Sequence, residues 1–184
     1  MKKNLFCVAV LLSGVSLASH AQSGFYTEAS YWQLSSISHA STAGETKSDG
    51  QVVSAIVGYP LSENLSLEGM VGTGLSNADV KLNGATQTTP VTQKLDAAYG
   101  AYVRAKIAIT NDVDVFARAG RNAWHTTAST SSASTSNNFS DWTYGVGVNY
   151  NITKSTYLSG SWMTLYNKDN IKIDGYSLGV GVKF

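Results

Sequence analysis

The residues YSLGVGVKF, from Tyr176 to Phe184, decide how the rest of the chain is interpreted. Apolar side chains alternate along them with small or charged ones, as in a β-strand that has one apolar face. Because the second face is small or charged, it is not expected to look into a packed apolar core. The apolar face must therefore meet a different environment. It consists of Tyr176, Leu178, Val180, Val182 and Phe184.

The first 21 residues have the pattern of a secretory signal peptide. Lys2 and Lys3 precede the apolar run LFCVAVLLSGVSLA, and Ser19-His20-Ala21 forms a small-x-small cleavage site. The run is short and contains Ser and Gly, so a transmembrane anchor is a poorer interpretation. We predict a cleaved signal over residues 1–21 and one mature domain over residues 22–184.

Removing the predicted signal changes the net charge of the chain, which bears on its possible partners. Of 13 basic residues, Lys2 and Lys3 are lost, which leaves 11 against 12 acidic residues and a formal net charge of −1. Without a basic excess to neutralise phosphates, nucleic acid is not an expected partner. No mature segment reaches about 18 consecutive apolar residues, but a membrane-spanning strand needs only about ten alternating ones.

Seven further segments carry strand patterns, so the sequence predicts eight strands. Their connections alternate between long and short, as in outer-membrane barrels, which have short turns on one side and longer loops on the other. An open sheet would leave edges that lipid does not tolerate, so the sheet must close. We predict an all-β fold, an eight-stranded antiparallel transmembrane β-barrel. The seven segments are residues 24–32, 52–59, 65–75, 99–109, 113–120, 142–150 and 156–166.

The long polar connections are predicted to be surface loops. They cover residues 35–50, 76–94 and 125–140, with a shorter fourth loop at residues 167–173. The third is rich in Ser and Thr and cannot bury apolar surface, so we expect it to be mobile. In this architecture loops carry contacts on a barrel scaffold, which makes the three long ones candidates for binding a host surface ligand.

Charged side chains fall on the face opposite to the apolar one, which places them in the barrel interior. That interior is just wide enough for side chains to fill it at this strand number, and charges there must pair or be hydrated. A structural ion-pair plug is therefore favoured over a gated conduction path. The predicted lumen charge network comprises Glu28, Glu68, Arg104, Lys106, Asp114 and Arg118.

Aromatic residues cluster at the predicted strand ends, as expected for belts at the two membrane interfaces. Trp162 is an exception because it falls in the middle of a strand. Four residues lie near the short turns and five near the long loops. The first set is Phe25, Tyr59, Tyr150 and Phe184, and the second is Tyr31, Tyr99, Trp124, Trp142 and Tyr176.

Residues 101–120, AYVRAKIAITNDVDVFARAG, resemble one hairpin of the outer-membrane protein A transmembrane domain. The shared features are an inward Lys106, an Ile-Thr-Asn-Asp turn and an inward Arg118. LSLEGMVG, at residues 65–72, is similar to that family's third strand with its inward Glu68. The closing SLGVGVKF fits the same pattern, which also covers the outer-membrane protein X/Ail type and the opacity-like porin family.

The resemblance implies an integral protein of the bacterial outer membrane with periplasmic termini and a structural, adhesion or colonisation role. Its implied partners are outer-membrane lipid, lipopolysaccharide and the barrel-assembly machinery, which would read the closing strand, and a monomer is expected. Two positions depart from the family pattern. Asn149 replaces an inward acid, and Ser159 or a neighbouring residue replaces an inward Arg, so the charge switch proposed for that family's lumen is not carried over intact.

Catalytic, metal and cofactor sites are not predicted. His125 invites comparison with outer-membrane lipid A enzymes, but it is followed by Thr126 and Thr127 and lacks a His-x-Ser arrangement. No spacing of histidines suits a metal ion. A small pore, a lipid A-modifying enzyme and a soluble periplasmic barrel remain as alternatives. The charged inner faces argue against the last, which would need an apolar interior.

Overall fold

A computed structural model describes residues 24–40, 44–82, 85–86, 92–130, 133–168 and 170–184. The predicted signal peptide lies outside these residues. None of the described segments forms a helix long and apolar enough to cross a membrane.

Ten β-strands make up the described chain, and eight of them are long. The alternation of apolar and polar residues places the side chains of each strand on two faces of a single wall. The strands are β1 Tyr26–Ala40, β2 Gly44–Pro60, β3 Leu65–Gly74, β4 Ala78–Leu82, β5 Ala85–Thr86, β6 Thr92–Ala108, β7 Val113–Ser129, β8 Ser134–Asn151, β9 Thr156–Lys168 and β10 Ile171–Lys183.

The wall closes on itself through β1, which pairs with both β2 and β10. All pairings among the described strands are antiparallel, and the barrel order is β1-β10-β9-β8-β7-β6-β3-β2. At the seam, Tyr26 is opposite Lys183, and the backbone N–H of Phe184 donates to the carbonyl of Phe25 at 2.9 Å. The predicted eight-stranded antiparallel barrel is confirmed.

Three short turns lie at the same end of the barrel as residues 25 and 184, and we call this the turn end. Each turn is closed by a backbone hydrogen bond to the first residue of the following strand. Leu61 donates to Leu65 at 2.8 Å, Ile109 to Val113 at 2.8 Å, and Ile152 to Thr156 at 2.9 Å. The opposite end, where the long connections lie, is called the hairpin end.

The long connections are mostly strand in their described parts, so the prediction that residues 35–50, 76–94 and 125–140 are loops is wrong there. Residues 125–129 and 134–140 continue β7 and β8, which pair up to Ser129 and Ser134. β1 and β2 pair up to Ala40 and Gly44. Cross-strand pairing satisfies the backbone polar groups of these segments, so they form a ladder without apolar periodicity.

Short strands and tight turns complete the hairpin end. β4 continues the place of β3 in the wall, because it pairs with both β2 and β6. β9 ends at Lys168 and β10 begins at Ile171, so residues 167–168 and 171–173 of the predicted fourth loop belong to strands, and Asn170, just before β10, has a φ of 61°. Asn is one of the few residues that adopt this left-handed conformation readily.

The outer face of the turn-end half is apolar, as predicted. On β8, every second residue from Trp142 to Tyr150 is apolar and exposed, a span of nine residues that matches the roughly ten needed to cross a bilayer. Exposed aromatic rings border the band, and Phe25 and Tyr59 contact each other at the turn end, with centroids 5.0 Å apart. Trp124 does not belong to the belt, because its side chain faces inward and is buried.

The two faces of the wall exchange their character toward the hairpin end. Along β10, the outward residues change from Leu178 and Tyr176 to Asp174 and Lys172, while Ile173 and Ile171 face inward. Along β1, Glu28 and Ser30 give way on the inner face to Trp32 and Leu34. An apolar outer face suits lipid and a charged outer face suits water, so this exchange matches a barrel whose turn-end half is surrounded by lipid and whose hairpin-end half is surrounded by water.

Candidate functional site: the barrel lumen and its hairpin-end mouth

An ion-pair layer crosses the barrel interior in the turn-end half. Glu68 on β3 forms an ion pair with Arg118 on β7. Arg118 Nη2 donates to Glu68 Oε1 at 3.1 Å, and Arg118 Nε contacts Glu68 Oε2. Arg104 on β6 reaches the same Oε1 through Nη1 at 3.4 Å. All three side chains are almost completely buried. One carboxylate thus lies between two guanidinium groups, and the layer depends on that carboxylate.

Aromatic rings surround the two guanidinium groups. The Tyr26 hydroxyl donates to Glu68 Oε1 at 2.6 Å, and the Arg104 guanidinium lies 4.1 Å from the centroid of the Phe116 ring. Arg118 lies 5.2 Å from the same ring. A desolvated cation over an aromatic face is stabilised by the ring quadrupole. Phe116 therefore offsets part of the excess positive charge of the layer.

Inward glycines make room for these rings. A methyl group on Gly58 would overlap the Tyr26 ring, and one on Gly181 would overlap the Tyr157 ring. On the inner face of the closing strand, Gly181 thus faces the Tyr157 ring, whereas Gly179 lies against Ser30, and the hydroxyls of Ser177 and Ser161 share a hydrogen bond at 2.7 Å.

The other three members of the predicted network do not join Glu68. Glu28 is buried and accepts hydrogen bonds from Ser30 at 2.8 Å and from Tyr157 at 3.3 Å. Asp114 is buried nearer the turn end and accepts from Asn151 at 3.1 Å. Lys106 is half-buried there. The structure therefore divides the six residues between one ion-pair layer and separate polar contacts.

A cavity of about 250 Å³, with charged residues in its lining, is found on the turn-end side of the layer. Arg104, Lys106 and Asp114 line it, together with Asn149. Asn149 and Ser159 face inward, where the family resemblance has an acid and an Arg, and both are buried. Within the described chain, neither Asn149 Oδ1 nor Ser159 Oγ has a hydrogen-bond partner.

An apolar layer covers the hairpin-end side of the ion pairs. Trp32 donates its indole N–H to Ser54 at 2.9 Å, and its ring belongs to a buried apolar cluster. The interior at this level is thus apolar, although the sequence pattern predicts charged and polar side chains inside the barrel. Its members are Trp32, Leu34, Val52, Ile56, Met70, Ala98, Tyr102, Trp124, Met163 and Leu165.

Above this layer the barrel opens into a second cavity of about 200 Å³, which we call the mouth cavity. Its lining comes from strands all around the wall, and none of its described lining residues is charged. Its apolar part consists of Leu34, Val52, Ala78, Leu95, Trp124, Phe139, Tyr166, Ile171 and Ile173.

Two β-bulges shape the mouth cavity. Asp96 is an extra residue in β6 opposite β7, and Leu165 is an extra residue in β9 opposite β10. Each insertion shifts the alternation by one residue, so that Leu95 and Tyr166 face inward rather than outward. Tyr166 then packs edge-on against Phe139, with ring centroids 6.0 Å apart. A period-two reading of the sequence does not reveal either insertion.

His125 lies on the outer face of the hairpin end. Its Nδ1 is 2.6 Å from Asn138 Oδ1, while the nearby Thr127 hydroxyl donates to the Asp96 carboxylate at 2.6 Å. That hydrogen bond holds the pKa of Asp96 below its ordinary value. A nucleophile would need its hydroxyl on the imidazole and the carboxylate behind it. The described contacts place the hydroxyl on the carboxylate instead.

Comparison with known proteins agrees with this architecture. The family model described as "Outer membrane protein beta-barrel domain" matches residues 5–184. The chain belongs to this family. Members are proteins of the bacterial outer membrane, which explains the apolar outer band. Comparison with curated protein sequences finds no match.

Solved structures of other outer-membrane barrels share the fold of this family member. Ail, the attachment invasion locus protein of Yersinia pestis, has a TM-score of 0.61 at 15% identity, covering 89% of this chain and 100% of that one. Neisserial surface protein A has a TM-score of 0.63 at 18% identity, and the match covers 88% of this chain and 98% of that one. OprG from Pseudomonas aeruginosa has a TM-score of 0.59 at 13% identity, and the match covers 88% of this chain and 96% of that one.

Proposed function

We propose that this outer-membrane protein has a structural or surface-interaction role, in adhesion or colonisation, and makes its contacts with the four hairpins. In this proposal the turn end and residues 25 and 184 face the periplasm. The observation that carries it is the length of the strands. β8 has 18 residues, but its outward apolar run covers only nine, and the remaining residues form a polar hairpin with β7.

The composition of the hairpins suits a contact surface. Exposed residues at the β7–β8 tip, such as Ser134, Thr135 and Asn137, are small and uncharged, and they offer hydroxyl and amide groups to a partner. The name of Ail records attachment and invasion for that protein. It motivates an adhesion assay here.

The outer wall and the closing strand supply the remaining proposed partners. The apolar band would contact outer-membrane lipid and lipopolysaccharide. The outward face of β10, Tyr176 to Phe184, would be read by the barrel-assembly machinery. Leu178 is 74% exposed and Tyr176 67%, so this face is available before lipid covers it. A closed wall has no free edge for another subunit to extend, which favours a monomer.

Topology is tested first, by inserting an epitope after Thr130 or, as the matched control, after Asn111. We expect antibody to label intact cells only with the Thr130 insertion, and to label the Asn111 insertion only after permeabilisation. The reverse pattern would overturn the proposed orientation.

Adhesion is then tested in a non-adherent bacterium that expresses the protein. We expect more cells bound to an epithelial monolayer, and a loss of that gain when Ser134, Thr135 and Asn137 are all changed to Glu. A triple change at the turn end (Ser62→Glu, Asn111→Glu and Thr153→Glu) serves as the control. Heat-dependent gel mobility checks that both variants assemble. Correct assembly without any gain in adhesion would contradict the role.

The ion-pair layer supports a plugged lumen over the alternative of a small pore. Glu68, Arg104 and Arg118 lie between the two cavities, together with the Phe116 ring. We expect the refolded protein to give no reproducible conductance in planar bilayers. Regular channels that change when Arg104 is neutralised would establish the pore and refute the plug, without affecting the adhesion result.

A further inference from the structure

The mouth cavity has the features of a binding site for a small molecule. It has about 200 Å³ of space, more than the roughly 150 Å³ that holds benzene in an engineered protein cavity. Its opening is bordered by hairpin residues Ser38, Thr46 and Ser48. Its floor is the apolar layer, below which lie the ion pairs. A ligand would therefore enter from the hairpin end and stop there.

The cavity cannot disappear by a simple collapse of its walls. Hydrogen-bonded strands form its sides, including the β1–β2 and β7–β8 ladders that continue past the apolar band. Moving the walls together would break those ladders. Exposed apolar surface thus persists at the water-filled end of the barrel, where covering it with a ligand is favourable.

The lining also limits the charge of the ligand. It contains hydroxyl and amide groups from Ser, Thr and Gln but no acidic or basic side chain among the described residues. A charged molecule would lose hydration without gaining an ion pair. The ligand is therefore expected to be uncharged.

One buried donor in the lining lacks an acceptor. Trp124 is 7% exposed, and its indole Nε1 has no hydrogen-bond partner within the described chain. Trp32, by comparison, donates its own indole N–H to Ser54. An unpaired buried donor costs free energy, which a bound oxygen acceptor would recover once a rotation of the indole ring turns the N–H toward the cavity.

We propose that the mouth cavity binds a small uncharged molecule from the surrounding medium, of about one aromatic ring and with one oxygen acceptor for Trp124. Apolar contacts with Leu34, Val52 and Phe139 supply most of the affinity, and the indole N–H orients the carbonyl or ether oxygen. This goes beyond the proposed surface role, and binding does not depend on the orientation in the membrane.

The test uses the refolded full barrel in lipid nanodiscs and 4-fluoroacetophenone as the probe, followed by ¹⁹F NMR line broadening of the probe. We expect saturable binding, abolished by Ser36→Phe, which places a ring in the cavity. Ser35→Phe is the matched control, because Ser35 is the neighbouring residue on the outer face and exposed. Thr126→Phe on the opposite wall provides a second blocking variant if Ser36→Phe does not assemble.

The hydrogen bond between the Trp124 N–H and the ligand oxygen is tested separately, with the Trp124→Phe variant and with 4-fluoroethylbenzene, a probe that has no oxygen. We expect Trp124→Phe to weaken 4-fluoroacetophenone roughly fivefold, as the loss of one net hydrogen bond predicts, and to leave 4-fluoroethylbenzene unchanged. Equal weakening of both probes would overturn the role of Trp124.

Partitioning into lipid and binding of ions give distinct results. If wild-type protein and both blocking variants broaden the probe equally, the signal comes from lipid and the site is refuted. If 4-fluorobenzoate or 4-fluorobenzylamine binds as tightly as the ketone, the uncharged class is wrong. Either outcome leaves the adhesion and topology results untouched.

Discussion

The turn-end and hairpin-end halves of this barrel are built from the same strands but have opposite interiors. In the turn-end half Glu68 and two arginines fill the lumen, while valines and leucines cover the outside. In the hairpin-end half Trp124 and Leu34 fill the lumen, while Asp174 and Lys172 lie outside. The difference teaches that a strand's inner and outer faces are assigned by the solvent at each level, lipid in one half and water in the other.

The largest expected effect comes from removing the shared carboxylate of the turn-end half. Glu68→Gln leaves two buried guanidinium groups without their counter-ion, so we expect a loss of about 3–5 kcal/mol in the free energy of unfolding. Urea titration of the barrel in lipid vesicles, followed by gel mobility, measures it. Glu63→Gln, at an exposed turn, is the control and should change little. A similar loss in both variants would show that the ion pairs are unimportant.

A charge on the outer face distinguishes the two halves directly. Ala29→Lys places an ammonium group in the apolar band and should cost about 2–4 kcal/mol near the bilayer midplane. Ser35→Lys is on the same face of the same strand at the hairpin end, and we expect it to cost almost nothing. The same urea titration compares them. Equal costs would mean that the band extends to the hairpin end and that the proposed exchange of faces is wrong.

The apolar interior of the hairpin end is tested by Leu165→Ala. We expect a loss of roughly 2–3 kcal/mol, at the low end for a buried leucine because the adjacent mouth cavity already leaves unfilled space. Leu158→Ala, an outward leucine on the same strand in the apolar band, is the control. It should cost less, since it leaves no void in the interior. A larger loss for Leu158→Ala would place the packing energy of this strand outside the barrel.

The smallest effect concerns pH at the hairpin end. The hydrogen bond from Thr127 holds the pKa of Asp96 low, so its stabilising contribution is present above the ordinary aspartate pKa and is lost as pH falls through the folded value. NMR titration of the Asp96 carboxyl carbon should show a midpoint below the ordinary value. Thr127→Val should raise that midpoint. An unchanged midpoint would show that Thr127 does not set it.

Period-two alternation in the sequence was sufficient to predict the wall, the strand number and the inward position of Glu68, Arg104 and Arg118. The sequence could not predict which of the six charged side chains form ion pairs with one another. The alternation shows on which face of the wall a side chain lies but not its position along the barrel axis. The hairpins were missed because Ser and Thr residues carry no apolar period, although their backbones pair equally well.

Two further features were not predicted correctly from the sequence, the position of Trp124 and the two β-bulges, and each has its own physical explanation. Trp124 was placed in a membrane belt because an aromatic residue near a strand end usually meets the interface. Here the strand continues into water, where the apolar side must turn inward. The bulges at Asp96 and Leu165 were missed because one inserted residue leaves no signature in composition, yet it reverses the side on which Leu95 and Tyr166 lie.

The seam hydrogen bond between Phe184 and Phe25 has a consequence for engineering. Because these two residues are already neighbours, a short linker could connect them and the chain could be cut at another turn, such as that at Asn111. The circularly permuted protein would keep all pairings of the wall. The closed barrel therefore does not itself determine where the chain begins and ends. Circular permutants would show whether assembly requires a particular strand to be synthesised last.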